Sequence, residues 1–243
     1  MKRTTLLILS ILAVATMMLA QSCKFKVKPS DNMQTRTIIL GDFYRIETAR
    51  VVVEYSEGTP GEATLTAPDN VIDDIIVTVK DGKLVVRPRE VNRYESDINA
   101  TLIVSSTGLT KIEADLAGRV VAKTPLCIAS DFKAEANTAG SIRLDSLKCA
   151  KADIEANTAG TIRISTLLAD TKVDLEANTA GNIKIDTINT DRLDAEANTA
   201  GNIRVSAGNV NFADLEANTA GNIKVDATCA DRKAESTTGG NIR

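Results

Sequence analysis

The groups in this chain most able to do chemistry are its carboxylates, its cations and four cysteines, because histidine is absent. That absence excludes imidazole acid/base catalysis and histidine metal sites. Tryptophan is also absent and Phe and Tyr are scarce, which removes the platforms on which bases and sugars usually stack. The carboxylates are not scattered. Glu113, Glu135, Glu155, Glu176, Glu196, Glu216 and Glu235 recur at near-constant intervals, and so do Arg143, Arg163, Lys184, Arg204 and Lys224. A lyase or hydrolase needs a few carboxylates or basic groups that break a pattern and gather in one cleft. Here the charges repeat, so the two stripes are expected to compensate one another on the surface. The Gly- and Asp-rich nonapeptide of calcium-binding β-helices is missing, so no metal and no cofactor is implied. The formal net charge is −3 with no basic patch, which argues against nucleic acid as a partner.

These charges belong to a repeated phrase, Glu-Ala-Asn-Thr-Ala-Gly-x-Ile-Lys/Arg, whose glycines are Gly118, Gly140, Gly160, Gly181, Gly201, Gly221 and Gly240. Flanking the phrase, Ile154 and Ala156 or Ile162 and Ile164 alternate with charged residues. Strict alternation puts one side of a strand in a core and the other in water. Each unit therefore reads as strand, Asn-Thr-Ala-Gly turn, strand, then a variable stretch such as residues 145–151. A unit of about twenty residues gives a coil perimeter of roughly 65 Å, and coils would stack about 4.8 Å apart. The fold class is all-β: a parallel β-helix, or solenoid, with about seven regular coils.

Stacking aligns like residues. Asn137, Asn157, Asn178, Asn198 and Asn218 should form a hydrogen-bonded ladder. Gly140, Gly160, Gly181, Gly201 and Gly221 should supply a backbone conformation that a Cβ would penalise, with Asn tolerating the left-handed region. This makes the phrase turn chemistry before it is a recognition strip. Cys127 and Cys149 each lie nine residues after their glycine, so they should stack, as a disulfide or as a pair of buried thiols. Cys229 has no obvious mate.

The first residues are of another kind. Lys2 and Arg3 precede an apolar run, Leu6 to Ala20, too short to span a bilayer comfortably. The run closes on Leu19-Ala20-Gln21-Ser22-Cys23, which resembles the lipobox of bacterial lipoproteins. The resemblance implies a signal peptide over 1–22, lipidation of Cys23, and a protein exported to the outer membrane, on its periplasmic or surface face. Residues 23–36 are polar and read as a tether. The β domain then spans 37–243, irregular over 37–110 and regular over 111–243.

In the irregular part, residues 37–40, 51–55, 63–66, 75–80, 83–87 and 100–105 alternate or run apolar between turn signals such as Asp81-Gly82. The order Gly41-Asp42-Phe43-Tyr44-Arg45-Ile46, Pro68-Asp69-Asn70-Val71, Val79-Lys80-Asp81-Gly82-Lys83-Leu84, Leu109-Thr110-Lys111-Ile112 and Ala117-Gly118-x-Val resembles the bacterial head GIN auto-transporter adhesin domain. The resemblance covers residues 38–243. It implies a secreted or lipid-anchored protein of the Bacteroidota type, folded as a right-handed β-helix. The family's usual Gly-Ser-Gly turn is Asn-Thr-Ala-Gly here, and the family brings no catalytic residues.

The expected function is that of a non-enzymatic envelope lipoprotein, a binding or structural module whose partners would be the membrane, through its anchor, and a glycan or an envelope or extracellular protein. A polysaccharide-acting β-helix enzyme is the first alternative. The second is an ice-binding surface built on Thr138, Thr158, Thr179, Thr199, Thr219 and Thr238; a flat ice face would want paired threonines, whereas these stand singly. The last coil, ending at Ile242-Arg243, is expected to offer an edge for self-association or a capping partner.

Overall fold

Alternation of apolar and polar residues becomes strands because every inward Ile, Val, Leu or Ala loses its contact with water while its neighbours keep theirs. The structure is a computed structural model, which describes residues 26–243; the leader and Cys23 lie outside the described residues. The strands are β1 (Met33–Ile39), β2 (Arg45–Ala49), β3 (Val52–Glu57), β4 (Glu62–Pro68), β5 (Ile75–Lys80), β6 (Lys83–Pro88), β7 (Thr101–Ser106), β8 (Lys111–Asp115) and β9 (Arg119–Ala122). They continue as β10 (Leu126–Cys127), β11 (Phe132–Ala136), β12 (Ser141–Asn157), β13 (Thr161–Asn178), β14 (Asn182–Asn198), β15 (Asn202–Ala217), β16 (Asn222–Val225), β17 (Thr228–Ser236) and β18 (Asn241–Ile242). The fold is an all-β parallel solenoid. Its regular coils pair like residue with like: Ile142 with Ile162, Ile162 with Ile183, and Ile183 with Ile203.

The variable stretch is strand as well. β12 runs without a break through residues 145–151, with one register irregularity between Cys149 and Lys151, and directs Leu147 and Cys149 inward. Its chemistry varies more than its backbone because only every second residue faces the core.

Before the regular coils, chain order and stacking order part company. β2 lies between β6 and β8, parallel to both, and β3 lies between β7 and β9. The first coil made is thus enclosed by two made later. On the outer side β4 pairs antiparallel with β7, β1 with β4, and β5 with β6. The open edge of the parallel stack is covered there by antiparallel strands.

One core runs the length of the molecule, with Phe43, Tyr55 and Phe132 at its N-terminal end and Ile, Leu, Val and Ala beyond. Phe132, Ala152, Val173, Leu193 and Ala213 form one buried column. In the last coil Arg232 takes that register, opposite Ala213, and its guanidinium donates to the Arg243 carbonyl at 3.2 Å. A charge therefore lies where the column would otherwise continue.

Candidate functional site

The repeated phrase folds as a hydrogen-bonded turn. Gly140 N–H donates to the Asn137 carbonyl at 2.8 Å, and Gly160, Gly181, Gly201 and Gly221 do the same at 2.9 Å to Asn157, Asn178, Asn198 and Asn218. The residues with positive φ are Thr and Ala, at about 47° and 63°, in every copy from Thr138-Ala139 to Thr219-Ala220. Positive φ at both central residues is the mark of a type I′ turn, whose usual occupants are Asn and Gly. The expectation that Asn and Gly themselves carry the left-handed backbone is corrected here.

Glycine is needed for another reason. A Cβ on Gly160, Gly181 or Gly201 would stand 1.9 Å from the carbonyl oxygen of Ala136, Ala156 or Ala177 on the preceding coil. The left-handed pair in turn keeps the turn amides pointing along the stack: Ala139 N–H reaches the Thr158 carbonyl at 3.0 Å, and Ala180 N–H reaches that of Thr199 at 3.1 Å. The coil-to-coil bonding thus passes through the corner without interruption.

The asparagines align. Asn157, Asn178 and Asn198 donate through Nδ2 to the Oδ1 of Asn137, Asn157 and Asn178 at 3.1, 3.0 and 3.1 Å. Asn218 instead donates to Glu216 at 2.8 Å. A second ladder follows the glycine: Asn202 donates to Asn182 at 3.3 Å, Asn222 to Asn202 at 2.8 Å, and Asn241 to Asn222 at 2.9 Å. Its signal in the sequence is Gly-Asn-Ile, repeated from Gly181 onward.

The expected compensation between the two charged stripes is corrected here: among the described residues no ion pair joins them across the turn, and Arg143, Lys184 and Lys224 pair instead with Asp145, Asp186 and Asp226. The glutamates share their face with Asp153, Asp174, Asp194 and Asp214, two residues earlier on the strands, and together they line a shallow acidic groove. The aspartates are neutralised from their own side. Lys151 reaches Asp174 at 2.9 Å, Lys172 bridges Asp174 and Asp194 at 2.6 and 2.7 Å, and Arg192 reaches Asp194 at 2.7 Å. Lys133 closes the upper end, holding Glu135, Asp153 and Glu155 at 2.9, 3.2 and 2.6 Å. Burial works against its charge, yet those carboxylates hold its pKa above the ordinary lysine value. Burial likewise raises Glu135, but Lys133, Glu113 and Lys111 bring it below the usual carboxylate value. Glu176, Glu196 and Glu216 accept from the asparagines at 2.6, 2.6 and 2.8 Å. Among the described residues no three or more Cys, Asp and Glu side chains are arranged to hold a metal ion.

Cys127 and Cys149 do not stack. Leu126 pairs with Leu147 and Cys127 with Lys148, so Cys127 is exposed while Cys149 is buried, and both are free thiols. The cause is one extra residue between Ala122 and Leu126, relative to Leu144 and Leu147 in the next coil. A one-residue slip turns a strand side chain to the other face. Burial, then Asp131 and Asp170, push the Cys149 thiol up to about 12.

The family model described as "Putative auto-transporter adhesin, head GIN domain" matches residues 42–173 and again residues 153–243. No curated protein matches the chain. Among solved structures, a "putative adhesin" from Parabacteroides merdae ATCC 43184 is 19% identical with a TM-score of 0.70. Another from Bacteroides fragilis NCTC 9343 is 19% identical with a TM-score of 0.69. A "putative lipid binding protein" from Parabacteroides distasonis ATCC 8503 is 16% identical with a TM-score of 0.63. Each comparison covers 89% of this chain and 98% of the other. At these identities the likeness is one of fold.

Proposed function

The chain belongs to the head GIN auto-transporter adhesin family, and from that premise we propose that it is a non-enzymatic binding module held at the cell envelope by a lipid on Cys23. The observation that carries this reading is the repetition of the outer surface. Cations, carboxylates and asparagine amides recur coil after coil in register, and a surface of that kind engages an extended partner at many equivalent points rather than transforming one bond. The glutamates and aspartates support it further, since they are bonded to lysines, arginines or asparagine amides of neighbouring positions. Among the described residues no helix is long and apolar enough to cross a membrane.

Two measurements test the reading. Cys23→Ala should move the protein from the membrane to the soluble fraction of the envelope; unchanged fractionation would refute the anchor. The full chain, screened against envelope glycans and matrix proteins, should retain a ligand without consuming it. Turnover of a glycan that disappears on one point substitution would favour the enzyme instead.

A further inference from the structure

The cation column beyond the turn is less uniform than its sequence suggests. It runs from Arg143 through Arg163, Lys184, Arg204 and Lys224, in register from coil to coil. Two residues further along stand Asp145, Ser165, Asp186, Ser206 and Asp226. Arg143, Lys184 and Lys224 pair with their aspartates at 3.8, 2.9 and 3.1 Å. Where serine replaces aspartate, at Arg163 and Arg204, the guanidinium is exposed and, among the described residues, has no carboxylate at ion-pairing distance.

Arg119 stands beside this column rather than in it, in the register of Ser141 and Thr161. It lies two coils before Arg163, is exposed, and is likewise unpaired. Arg119, Lys123, Arg143 and Arg163 rim a shallow concavity that also includes Val121, Ala122 and Asp145. Lys123 is paired with Glu54 at 3.2 Å and Arg143 with Asp145, which leaves Arg119 and Arg163 as its unpaired cations among the described residues. Val121 occupies the register where later coils carry a cation, so the basic rim encloses a small apolar floor. Within the column the unpaired guanidiniums of Arg163 and Arg204 stand two coils apart, about 10 Å along the axis. Beside them runs the polar rank of Ser141, Thr161, Asn182, Asn202 and Asn222.

A guanidinium fork suits a carboxylate, whose two oxygens it can engage together. One exposed pair contributes little, so useful affinity requires several contacts on one chain. Two coil rises come close to the length of a disaccharide. The face lacks the aromatic side chains on which bases and sugars stack, so a polymer here would be held through its charges, and the acidic groove on the other side of the turn opposes a polyanion that wraps around.

We propose that this face binds a linear acidic polysaccharide with one carboxylate per disaccharide, laid along the solenoid axis and anchored by Arg163 and Arg204, with Arg119 a further contact offset to one side. The proposal rests on the binding-module reading and supplies its ligand class. The test is equilibrium binding of the full chain to four probes: hyaluronan, with a carboxylate on every second sugar; polygalacturonate, with one on every sugar; neutral dextran; and a single-stranded oligonucleotide. Hyaluronan should bind best and weaken with added salt. R163S/R204S should weaken it about tenfold, while K184S/K224S, which removes the same charge from paired positions, should cost less than about threefold. Matching thermal melts establish that both variants fold.

Equal effects of the two double variants would overturn the proposal, as would dextran or the oligonucleotide binding as tightly as hyaluronan. Binding of a neutral glycan or a protein without hyaluronan would overturn it while leaving the module reading intact. Consumption of hyaluronan would overturn the module reading instead.

Discussion

At Gly181 the repeat's tolerance is set by one oxygen, because a Cβ there would meet the Ala156 carbonyl at 1.9 Å. That oxygen belongs to backbone locked between coils and cannot step aside cheaply. Gly181→Ala is expected to destabilise the fold by about 3 kcal/mol, read as a lowered denaturation midpoint. Thr179 and Ala180 present the opposite case, since both hold positive φ without being glycine. Replacing them by Asn and Gly puts the preferred type I′ residues in the turn. T179N/A180G should raise stability by about 1 kcal/mol, and a loss would show that the side chains do more in the turn than bear its strain. Each residue of the phrase was legible, but its role was not. Asn and Gly are the residues commonly found at positive φ, and only the neighbouring coil reveals that Gly181 answers a contact instead. Cys127 was misread for a related reason: its register depends on one added residue in the stretch 123–125, which no local count detects.

Among the elements, the bridge from Lys133 to Glu135, Asp153 and Glu155 ties β11 to β12 across the stack. Its pH dependence follows from the direction of each shift. Glu135 has a lowered pKa when folded, so its stabilisation is present above the unfolded value of about 4.3 and lost as pH falls through the folded one. Lys133 has a raised pKa, so its share is present below about 10.4 and lost only in strong alkali. Lys133→Met should therefore destabilise by roughly 1–2 kcal/mol at pH 7, and wild type and variant should converge near pH 3. Parallel denaturation curves at the two pH values would contradict this. The strands bearing this bridge were readable because Ile154 and Ala156 alternate with charge. β2 was not read as a strand; its five residues include the buried Thr48, whose hydroxyl is satisfied by the Val51 carbonyl at 3.0 Å. Nor was the enclosure of β2 between β6 and β8, which depends on pairings far apart in sequence.

For the whole molecule, the two ends of the described stack differ. Antiparallel strands cover one, and at the other end of the described coils Arg232 takes the register of the core column, its guanidinium bonded to the Arg243 carbonyl. An inward-facing charge at a sheet edge discourages another edge from docking. The full chain should sediment as a monomer, and Arg232→Leu should introduce concentration-dependent association; identical profiles would remove that role from Arg232. Between its ends the molecule offers long, repetitive faces, and the proposed binding takes place on them. The most direct test exposes the full chain to acidic polysaccharide and measures retained polymer and newly formed reducing ends in the same sample. Retention that falls with salt and yields no new ends is the expected result; new ends abolished by a single substitution would contradict the account.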